Sequence, residues 1–182
     1  PLDERYKTIY LGILNSKVIN HILKVISPTL NYEVGQIATL PMKSFHNDQL
    51  EELINENVDI SKQDWDAHET SWDFQENELI KLQKEGLGTI TSSLGDTTVM
   101  KYSTLNMLYA EYVAKWEKMF HKLHANEEEL NRQFIEIYGL QDELTPDVPL
   151  DEVTILQQGE IKIENGQLKF QRDVVIKQLI SY

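Results

Sequence analysis

The stretch LNMLYAEYVAKWEKMFHKLHANEEELNRQFIEIY, residues 105 to 138, carries the strongest structural signal in the chain. Its apolar residues recur at helical spacing, as Leu105, Leu108, Tyr109, Tyr112, Trp116, Phe120 and Leu123. Such a wide apolar stripe predicts a long helix packed in a bundle or in an antiparallel hairpin. Asn126 followed by Glu129 has the form of a capping box, which indicates a new helix or a kink at Asn126. We therefore predict a long helical hairpin over residues 102–138.

Shorter elements are predicted on both sides of this hairpin. Apolar residues at helical spacing predict helices, a nearly uncharged run of strand formers predicts an extended piece, and glycine, serine and threonine predict a loop. Asn165-Gly166 between alternating apolar and charged residues predicts a β-hairpin, because both turn positions need positive φ. The predicted order is helix 5–14, helix 16–26, extended piece 31–41, helix 48–58, polar loop 86–101, the helical hairpin, the β-hairpin, and a helix in 173–182.

This order predicts a mainly α fold class with minor β, built as a helical bundle or long helical hairpin with a short β-hairpin. The 182 residues are 41% hydrophobic, which suffices for one or two compact units. The chain starts at a proline and its last helix stops without a capping residue, so we expect a piece of a longer protein.

Composition also restricts the compartment. The sequence contains no cysteine, which excludes disulfides and thiolate metal sites and fits a reducing environment. Apolar runs such as IYLGIL are too short to span a bilayer, and no secretion signal is recognisable. We expect a cytoplasmic protein that has no membrane partner.

Charge divides the chain into a slightly basic start and a strongly acidic remainder. Residues 1–45 carry five basic and three acidic side chains, whereas the other 137 residues carry 12 basic and 27 acidic ones. Acidic surface repels phosphates, so only the first segment is a candidate DNA face by charge. Within it, Lys17, Asn20, His21 and Lys24 occupy the helix stripe opposite the apolar one.

Residues that could carry chemistry lack the setting that such chemistry needs. Glu117, His121 and His124 have metal-ligand spacing on one helix, but no H-E-x-x-H pattern accompanies them, so a solvated face is the favoured interpretation. Gly86 and Gly88 form G-x-G without the third glycine or the preceding strand of a nucleotide-binding loop. We therefore assign no catalytic, cofactor-binding or metal residue.

Aromatic residues interrupt an acidic stretch, SKQDWDAHETSWDF, at Trp65, Trp72 and Phe74. Scattered aromatic residues more often pack against neighbours than bind a ligand, so we expect these three to be packed.

Two groups of segments resemble a known family of DNA-modifying enzymes. YLGILNSKVINHILKVISPTLNYEVGQIATLP resembles the closing part of a target-recognition domain in fused DNA methyltransferases, where a Leu-Asn-Ser helix precedes Gly-x-Ile-x-x-Leu-Pro. ISKQDWDAHETSWDF, NEEELNRQFIEIYGLQDELTPDVPLDEVTI and LISY are similar to the C-terminal region of the PglX family. These are the adenine-specific DNA methyltransferases of BREX phage defence, and related type II restriction-modification methylases share the resemblance. Together the segments cover well over half the chain.

The resemblance implies a parent enzyme that moves a methyl group from S-adenosylmethionine to N6 of an adenine flipped out of the duplex. Such enzymes hold the base with an Asn-Pro-Pro-Tyr or Asp-Pro-Pro-Tyr motif, and no Pro-Pro occurs in this sequence. The resemblance therefore implies that S-adenosylmethionine belongs to the N-terminal part of the parent. It implies no cofactor and no enzymatic activity for this chain alone.

With this resemblance the chain divides into four consecutive segments. Residues 1–45 would be the C-terminal end of a target-recognition domain, and residues 46–101 a helical connector with a polar loop. Residues 102–140 would be the long helical hairpin, and residues 141–182 a loop, the β-hairpin and the start of a truncated helix.

Two functional hypotheses remain. In the first, this is the DNA-recognition and scaffold part of an adenine-specific methyltransferase. Lys17 and Lys24 would then lie near the phosphates of double-stranded DNA, with Asn20 or His21 hydrogen-bonding. In the second, an acidic helical module docks the enzyme's own N-terminal methyltransferase domain or other defence-system subunits without touching DNA. A purely solvating role for the two lysines stays open as a third interpretation.

Overall fold

The computed structural model describes residues 4–27, 32–43, 47–92, 95–100 and 104–181. Within them the elements are α1 (Glu4–Leu14), α2 (Lys17–Ile26), α3 (Val34–Ala38), α4 (Asp48–Asp66), α5 (Glu78–Glu85), β1 (Leu87–Ser92), β2 (Gly95–Met100), α6 (Leu105–Tyr138), β3 (Ile161–Glu164), β4 (Gln167–Phe170) and α7 (Arg172–Ser181). A 3-10 turn lies at Leu150–Glu152. The mainly α fold class with minor β is confirmed.

The chain forms two compact units, each built from two separate stretches of sequence. The first unit combines Pro1–Asp59 with Lys122–Pro149, and the second combines Ile60–His121 with Leu150–Tyr182. Residues that are distant in sequence therefore meet inside each unit, which the order of elements along the chain does not reveal.

The core of the first unit is formed by apolar side chains from α1, α2, α4 and the C-terminal half of α6. Its members include Ile9, Ile13, Ile19, Leu23, Leu50, Ile54, Leu130, Phe134 and Ile135. Gly12 lies so close to this core that a Cβ atom there would come within 2.4 Å of Ile54 Cδ1 and 3.4 Å of Phe134 Cζ. A larger residue here would force the Ile54 side chain to move within the core, which favours glycine at this position.

Helix α2 begins and ends close to the residues predicted from sequence. Ser16 is its N-cap, since the Ser16 Oγ atom accepts a hydrogen bond from the Ile19 amide at 3.4 Å. Val18, Ile19 and Leu23 are its buried residues, so the predicted apolar stripe is confirmed at Ile19 and Leu23, whereas Ile26 at its end is 40% exposed. Ser27 follows the last helical residue in an extended conformation, as expected for a residue before proline.

The extended piece predicted over residues 31–41 is wrong in its middle, where the chain forms the short helix α3. The Glu33 amide donates to Gln36 Oε1 at 2.9 Å and the Gln36 amide donates to the Glu33 carbonyl at 3.0 Å, so local capping bonds hold this turn. Val34 and Ile37 are strand formers without a partner strand among the described residues. Residue 31 lies outside the described part of the chain.

The segment after α3 is fixed to the C-terminal end of α6. Tyr138 Oη donates to the Pro41 carbonyl at 2.8 Å, and the Lys43 ammonium donates to the Ile137 carbonyl while lying 4.8 Å from the centre of the Tyr138 ring. A lysine that bonds a carbonyl of the last helical turn also complements the negative end of the helix dipole. This segment is thus tied to a helix almost a hundred residues away in sequence.

Helix α6 runs without interruption from Leu105 to Tyr138, so the predicted hairpin and the predicted break at Asn126 are wrong. Asn126 is buried, and its Nδ2 atom donates to Glu56 Oε2 at 2.8 Å and to Asn57 Oδ1 at 2.9 Å. The side chain therefore bonds α4 instead of capping its own backbone. Gly139, with φ +73°, ends α6 as predicted, and residues 102 and 103 lie outside the described part.

The second unit contains both β-hairpins. The polar loop predicted over 86–101 is wrong, because β1 and β2 pair antiparallel from Leu87 opposite Met100 to Ser92 opposite Gly95. The predicted hairpin at Asn165-Gly166 is confirmed, with β3 paired to β4 and positive φ values of 53° and 72° at the two turn residues.

The described helices were compared with the length and hydropathy that a membrane span requires. None of them is long and apolar enough to cross a bilayer, and a bent pair, Tyr6–Leu14 with Lys17–Ile26, passes that test only on combined length and composition.

Candidate functional site

The four residues predicted as a DNA face lie together on α2, opposite its buried side. Asn20 and Lys24 are exposed, whereas Lys17 and His21 are partly buried. Lys24 also stands in the last turn of α2, where a positive charge is favoured by the helix dipole in any case. The structure thus brings the predicted residues together without by itself assigning them a ligand.

A neighbouring loop of the same unit already contacts two of these four residues. The Lys17 ammonium donates to the Asp147 carbonyl, and the Lys17 amide donates to Asn131 Oδ1 at 3.0 Å. His21 Nε2 lies 3.3 Å from Glu143 Oε2. A carbonyl oxygen carries no formal charge, so Lys17 keeps its positive charge, whereas Glu143 offsets any charge on His21. The cationic part of this face therefore consists of Lys17 and Lys24.

A second surface feature was not anticipated: two of the three aromatic residues in the acidic stretch are exposed. Trp72 is fully exposed and Trp65 is 55% exposed. The prediction that they pack against neighbours is wrong for both, and only Phe74 is partly buried. We call residues 65–73, which comprise the last two residues of α4 and the turns that follow them, the tryptophan loop.

The tryptophan loop is held to the end of α4 by charged and polar side chains. The Lys62 ammonium bonds Asp66 Oδ2 at 2.9 Å and Asp73 Oδ2 at 3.0 Å. Ser71 Oγ donates to Asp66 Oδ1 at 2.7 Å and accepts from the Asp73 amide at 3.1 Å. This network fixes the backbone on both sides of Trp72 while leaving its ring in solvent.

Beneath the surface, the second unit contains a buried ion pair that sequence reasoning also missed. His68 Nε2 lies 2.7 Å from Glu160 Oε1, and Nδ1 lies 2.7 Å from the Asp64 carbonyl. Both neighbours are acceptors, so both ring nitrogens donate and the imidazole is charged. Gln178 Nε2 donates to the same Glu160 oxygen at 2.6 Å.

The titration behaviour of this pair follows from its contacts. Burial disfavours a charged imidazole, but the hydrogen bond and the negative charge of Glu160 outweigh burial and raise the pKa of His68. Burial alone would raise the pKa of Glu160, yet hydrogen bonds from His68 and Gln178 hold it below its usual value. Each partner therefore stabilises the charged form of the other.

Asp64 joins this cluster and supports an unusual backbone conformation. Its Oδ1 atom accepts from the Leu156 amide at 3.0 Å, and Leu156 has φ +60°, a conformation that side chains with a Cβ rarely adopt. Burial raises the pKa of Asp64. The cluster of Asp64, His68 and Glu160 thus anchors the chain between residues 156 and 160, which is a structural role.

Comparisons with known proteins show which curated proteins this chain is similar to. No family model matches it. It is 32% identical over 148 residues to the adenine-specific methyltransferase PglX of Lacticaseibacillus casei, which covers 80% of this chain and 11% of that protein. The chain is a homologue of part of PglX. It is also 31% identical over 175 residues to the adenine-specific methyltransferase BrxX of Escherichia coli, covering 94% of this chain and 13% of BrxX.

The segment shared with PglX and BrxX is short relative to those proteins. The chain spans about an eighth or less of the length of either curated relative. In this PglX homologue, Gly86 caps the end of α5 and Gly88 lies in β1. The two glycines therefore do not form the strand-to-helix turn of a nucleotide-binding loop, and no step of methyl transfer can be derived from them.

Two of the α6 residues with metal-ligand spacing make other contacts. His124 Nε2 donates to the Val148 carbonyl at 2.7 Å, and the His121 ring packs edge-on against Phe120 with 5.7 Å between ring centres. Within the described residues, no three histidine or acidic side chains come together as a metal site.

Proposed function

We infer that this chain is the recognition and scaffold part of an adenine-specific DNA methyltransferase. The observation that carries this proposal is the similarity to PglX and BrxX over 80% and 94% of the chain. The parent enzyme would transfer a methyl group from S-adenosylmethionine to N6 of adenine in double-stranded DNA, as part of cytoplasmic phage defence. Methyl transfer would take place in the parent's methyltransferase domain, because the Pro-Pro motif that holds the flipped base is not in this sequence.

The contribution of this chain to DNA binding would come from α2. Lys24 is exposed, and Lys17 is bonded to an uncharged carbonyl, so both ammonium groups can attract phosphates. Asn20 is exposed beside them and can hydrogen-bond a phosphate or sugar oxygen. His21 contributes less than the sequence suggests, because Glu143 lies beside it.

The test is the salt dependence of DNA binding by the parent enzyme and by its Lys24→Gln and Lys17→Gln variants. Each phosphate contact that is lost should reduce the slope of log K against log salt concentration by about 0.9. The loss should be equal for a duplex with the methylation site and for an unrelated duplex, because phosphate contacts carry no sequence information.

A matched control is Lys81→Gln, which removes an exposed lysine from α5 in the second unit. It should leave the slope unchanged. Lys17→Gln also removes the bond to Asp147, so the melting temperature of this variant must be compared with that of the parent. Lys24→Gln removes a charge without breaking that bond, and it therefore provides the cleaner test. An unchanged slope in Lys24→Gln would remove α2 from the DNA interface.

A second candidate function is an acidic helical module that docks protein. The contacts His21–Glu143 and Lys17–Asp147 favour it, because they use part of the basic face inside the first unit. Its partners would be the parent's own methyltransferase domain or other subunits of the defence system. Normal DNA binding combined with failed assembly after mutation of the acidic surface would support this function over the first.

A further inference from the structure

The tryptophan loop is the surface feature that contact between α2 and DNA leaves unexplained. A fully exposed tryptophan is uncommon, and tryptophan is one of the residues that contribute most to binding energy at protein interfaces. We propose that the tryptophan loop docks a basic segment of a protein partner, with arginine or lysine side chains of the partner stacked on Trp72 and Trp65. This proposal does not depend on DNA binding by α2.

The backbone of the tryptophan loop is ordered in the absence of a partner. Lys62 bridges Asp66 and Asp73, and Ser71 bonds both of these aspartates, so the backbone around Trp72 is fixed before any partner arrives. A side chain presented on an ordered loop loses little conformational entropy on binding. The ring of Trp72 could be covered by neighbouring residues if the loop were only a connection, yet it is fully exposed.

The negative charge around the tryptophan loop favours a positively charged partner. Residues 62–78 contain six acidic side chains and one lysine, Lys62, which pairs with both Asp66 and Asp73 and so leaves that group with a net negative charge. Glu76 and Glu78 are paired with Lys84 and Lys115. Glu69 is exposed and lies between the two tryptophans in sequence, and Asp73 follows Trp72 directly and is exposed although it pairs with Lys62. An indole face attracts a cation, and carboxylates around it strengthen that attraction, so arginine and lysine fit this surface best.

Charge also argues against other occupants. Single-stranded nucleic acid stacks on aromatic residues, but it requires a positively charged groove for its phosphates, and this surface is acidic. A second copy of the chain carries a formal net charge of −13 and would be repelled at long range. A basic protein segment therefore remains as the occupant that both the rings and the carboxylates favour.

The experiment uses the 182-residue chain and three labelled peptides of about ten residues that alternate glycine with arginine, lysine or glutamate. Binding is followed by fluorescence anisotropy and by the indole N–H signals in NMR spectra. The chain has three tryptophans, of which Trp116 is 1% exposed and serves as an internal control. We expect the arginine peptide to bind most tightly and to shift the Trp72 and Trp65 signals but not that of Trp116.

Two variants distinguish stacking of the peptide on Trp72 from general electrostatic attraction to the chain. Trp72→Leu keeps an apolar side chain but removes the π face, and it should weaken the arginine peptide about tenfold or more, as for an interface hot spot. Tyr32→Leu removes an aromatic residue that is 46% exposed in the first unit and should leave binding unchanged. Because Trp72 is fully exposed, its replacement should not alter the melting temperature.

Several outcomes would overturn the proposal. They are equal binding of the glutamate peptide, unchanged affinity in Trp72→Leu, indole shifts confined to Trp116, or no binding of the basic peptides at low salt. Larger Trp72 shifts with a single-stranded oligonucleotide than with the arginine peptide would also overturn it and would identify nucleic acid as the ligand. None of these results would bear on the salt-slope test of α2, so the two proposals fail separately.

Discussion

His68 and Glu160 are 92 residues apart in sequence and form a buried pair in which Nε2 and Oε1 are separated by 2.7 Å. The Glu160 side chain has no exposed surface, and that of His68 is 9% exposed. A charge in such a place is stable only while its partner is present. The pair therefore joins the end of α4 to the start of the β3–β4 hairpin.

Removal of one partner should be strongly destabilising. Glu160→Ala leaves a buried imidazole without its counter-charge, and we expect the free energy of unfolding to fall by about 3 kcal/mol in urea denaturation. Replacement of both residues by leucine should cost less than this single change, because no buried charge then remains. As a control, Glu164→Ala breaks the exposed pair with Lys169 and should leave stability unchanged within error.

The same pair should make stability depend on pH. Because the pKa of His68 is raised in the folded protein, its contribution is complete below the unfolded value of about 6.5 and is lost as pH rises through the folded value. Glu160 has a lowered pKa, so its contribution is complete above the unfolded value of about 4.3 and is lost as pH falls through the folded value.

Urea denaturation between about pH 5 and pH 9 should therefore show a fall in stability above neutral pH. His68→Asn should remove this fall. Two other groups face the pair, Asp64 and Tyr112, and burial raises the pKa of each. Tyr112 titrates beyond the alkaline end of the range, so it does not produce the expected slope. An identical alkaline slope in His68→Asn would show that another group causes it.

Gly12 should tolerate no larger residue. In Gly12→Ala the new methyl group overlaps Ile54, and we expect a net loss of about 1–3 kcal/mol in the free energy of unfolding despite the better helix propensity of alanine. Ile54→Val removes the Cδ1 atom that the methyl group meets. The double variant should therefore lose less stability than the two single losses added, and strict additivity would contradict the close approach.

The β3–β4 turn should depend on the conformation of its glycine. Gly166 has φ +72° and no atom near the position of a Cβ, so Gly166→Ala adds backbone strain without a steric contact. We expect a loss of about 1 kcal/mol in thermal or urea denaturation. Gly35→Ala is the matched change in α3, where the site is equally open and helical, and it should be neutral or slightly stabilising.

Local patterns predicted those elements whose bonds are themselves local. Ser16 caps α2 through a residue three positions away, and Asn165-Gly166 forms its turn from two adjacent residues. Asn126 has an equally good local pattern, but its side chain bonds Glu56 and Asn57, about 70 residues away. A capping box can be recognised in sequence, whereas a competing tertiary partner cannot.

At the candidate sites, too, the sequence did not reveal the tertiary contacts. The spacing of Lys17 and Lys24 placed both on the outer side of α2, but the loop residues Glu143 and Asp147 that contact this face could not be predicted. The bridge between Lys62 and Asp73, next to the exposed Trp72, joins residues 11 positions apart across a turn. The signal in the sequence was the absence of apolar spacing around the two tryptophans.

The division of the first unit into two stretches affects how the protein is made. Residues up to Asp59 are synthesised before their core partners Leu130, Phe134 and Ile135, which belong to the stretch Lys122–Pro149. Contacts of such long sequence separation form slowly, because the intervening chain must close before they are gained. During translation the core of α1, α2 and α4 therefore stays incomplete until the C-terminal half of α6 has been synthesised, and over that interval its exposed apolar side chains are targets for chaperones and for aggregation.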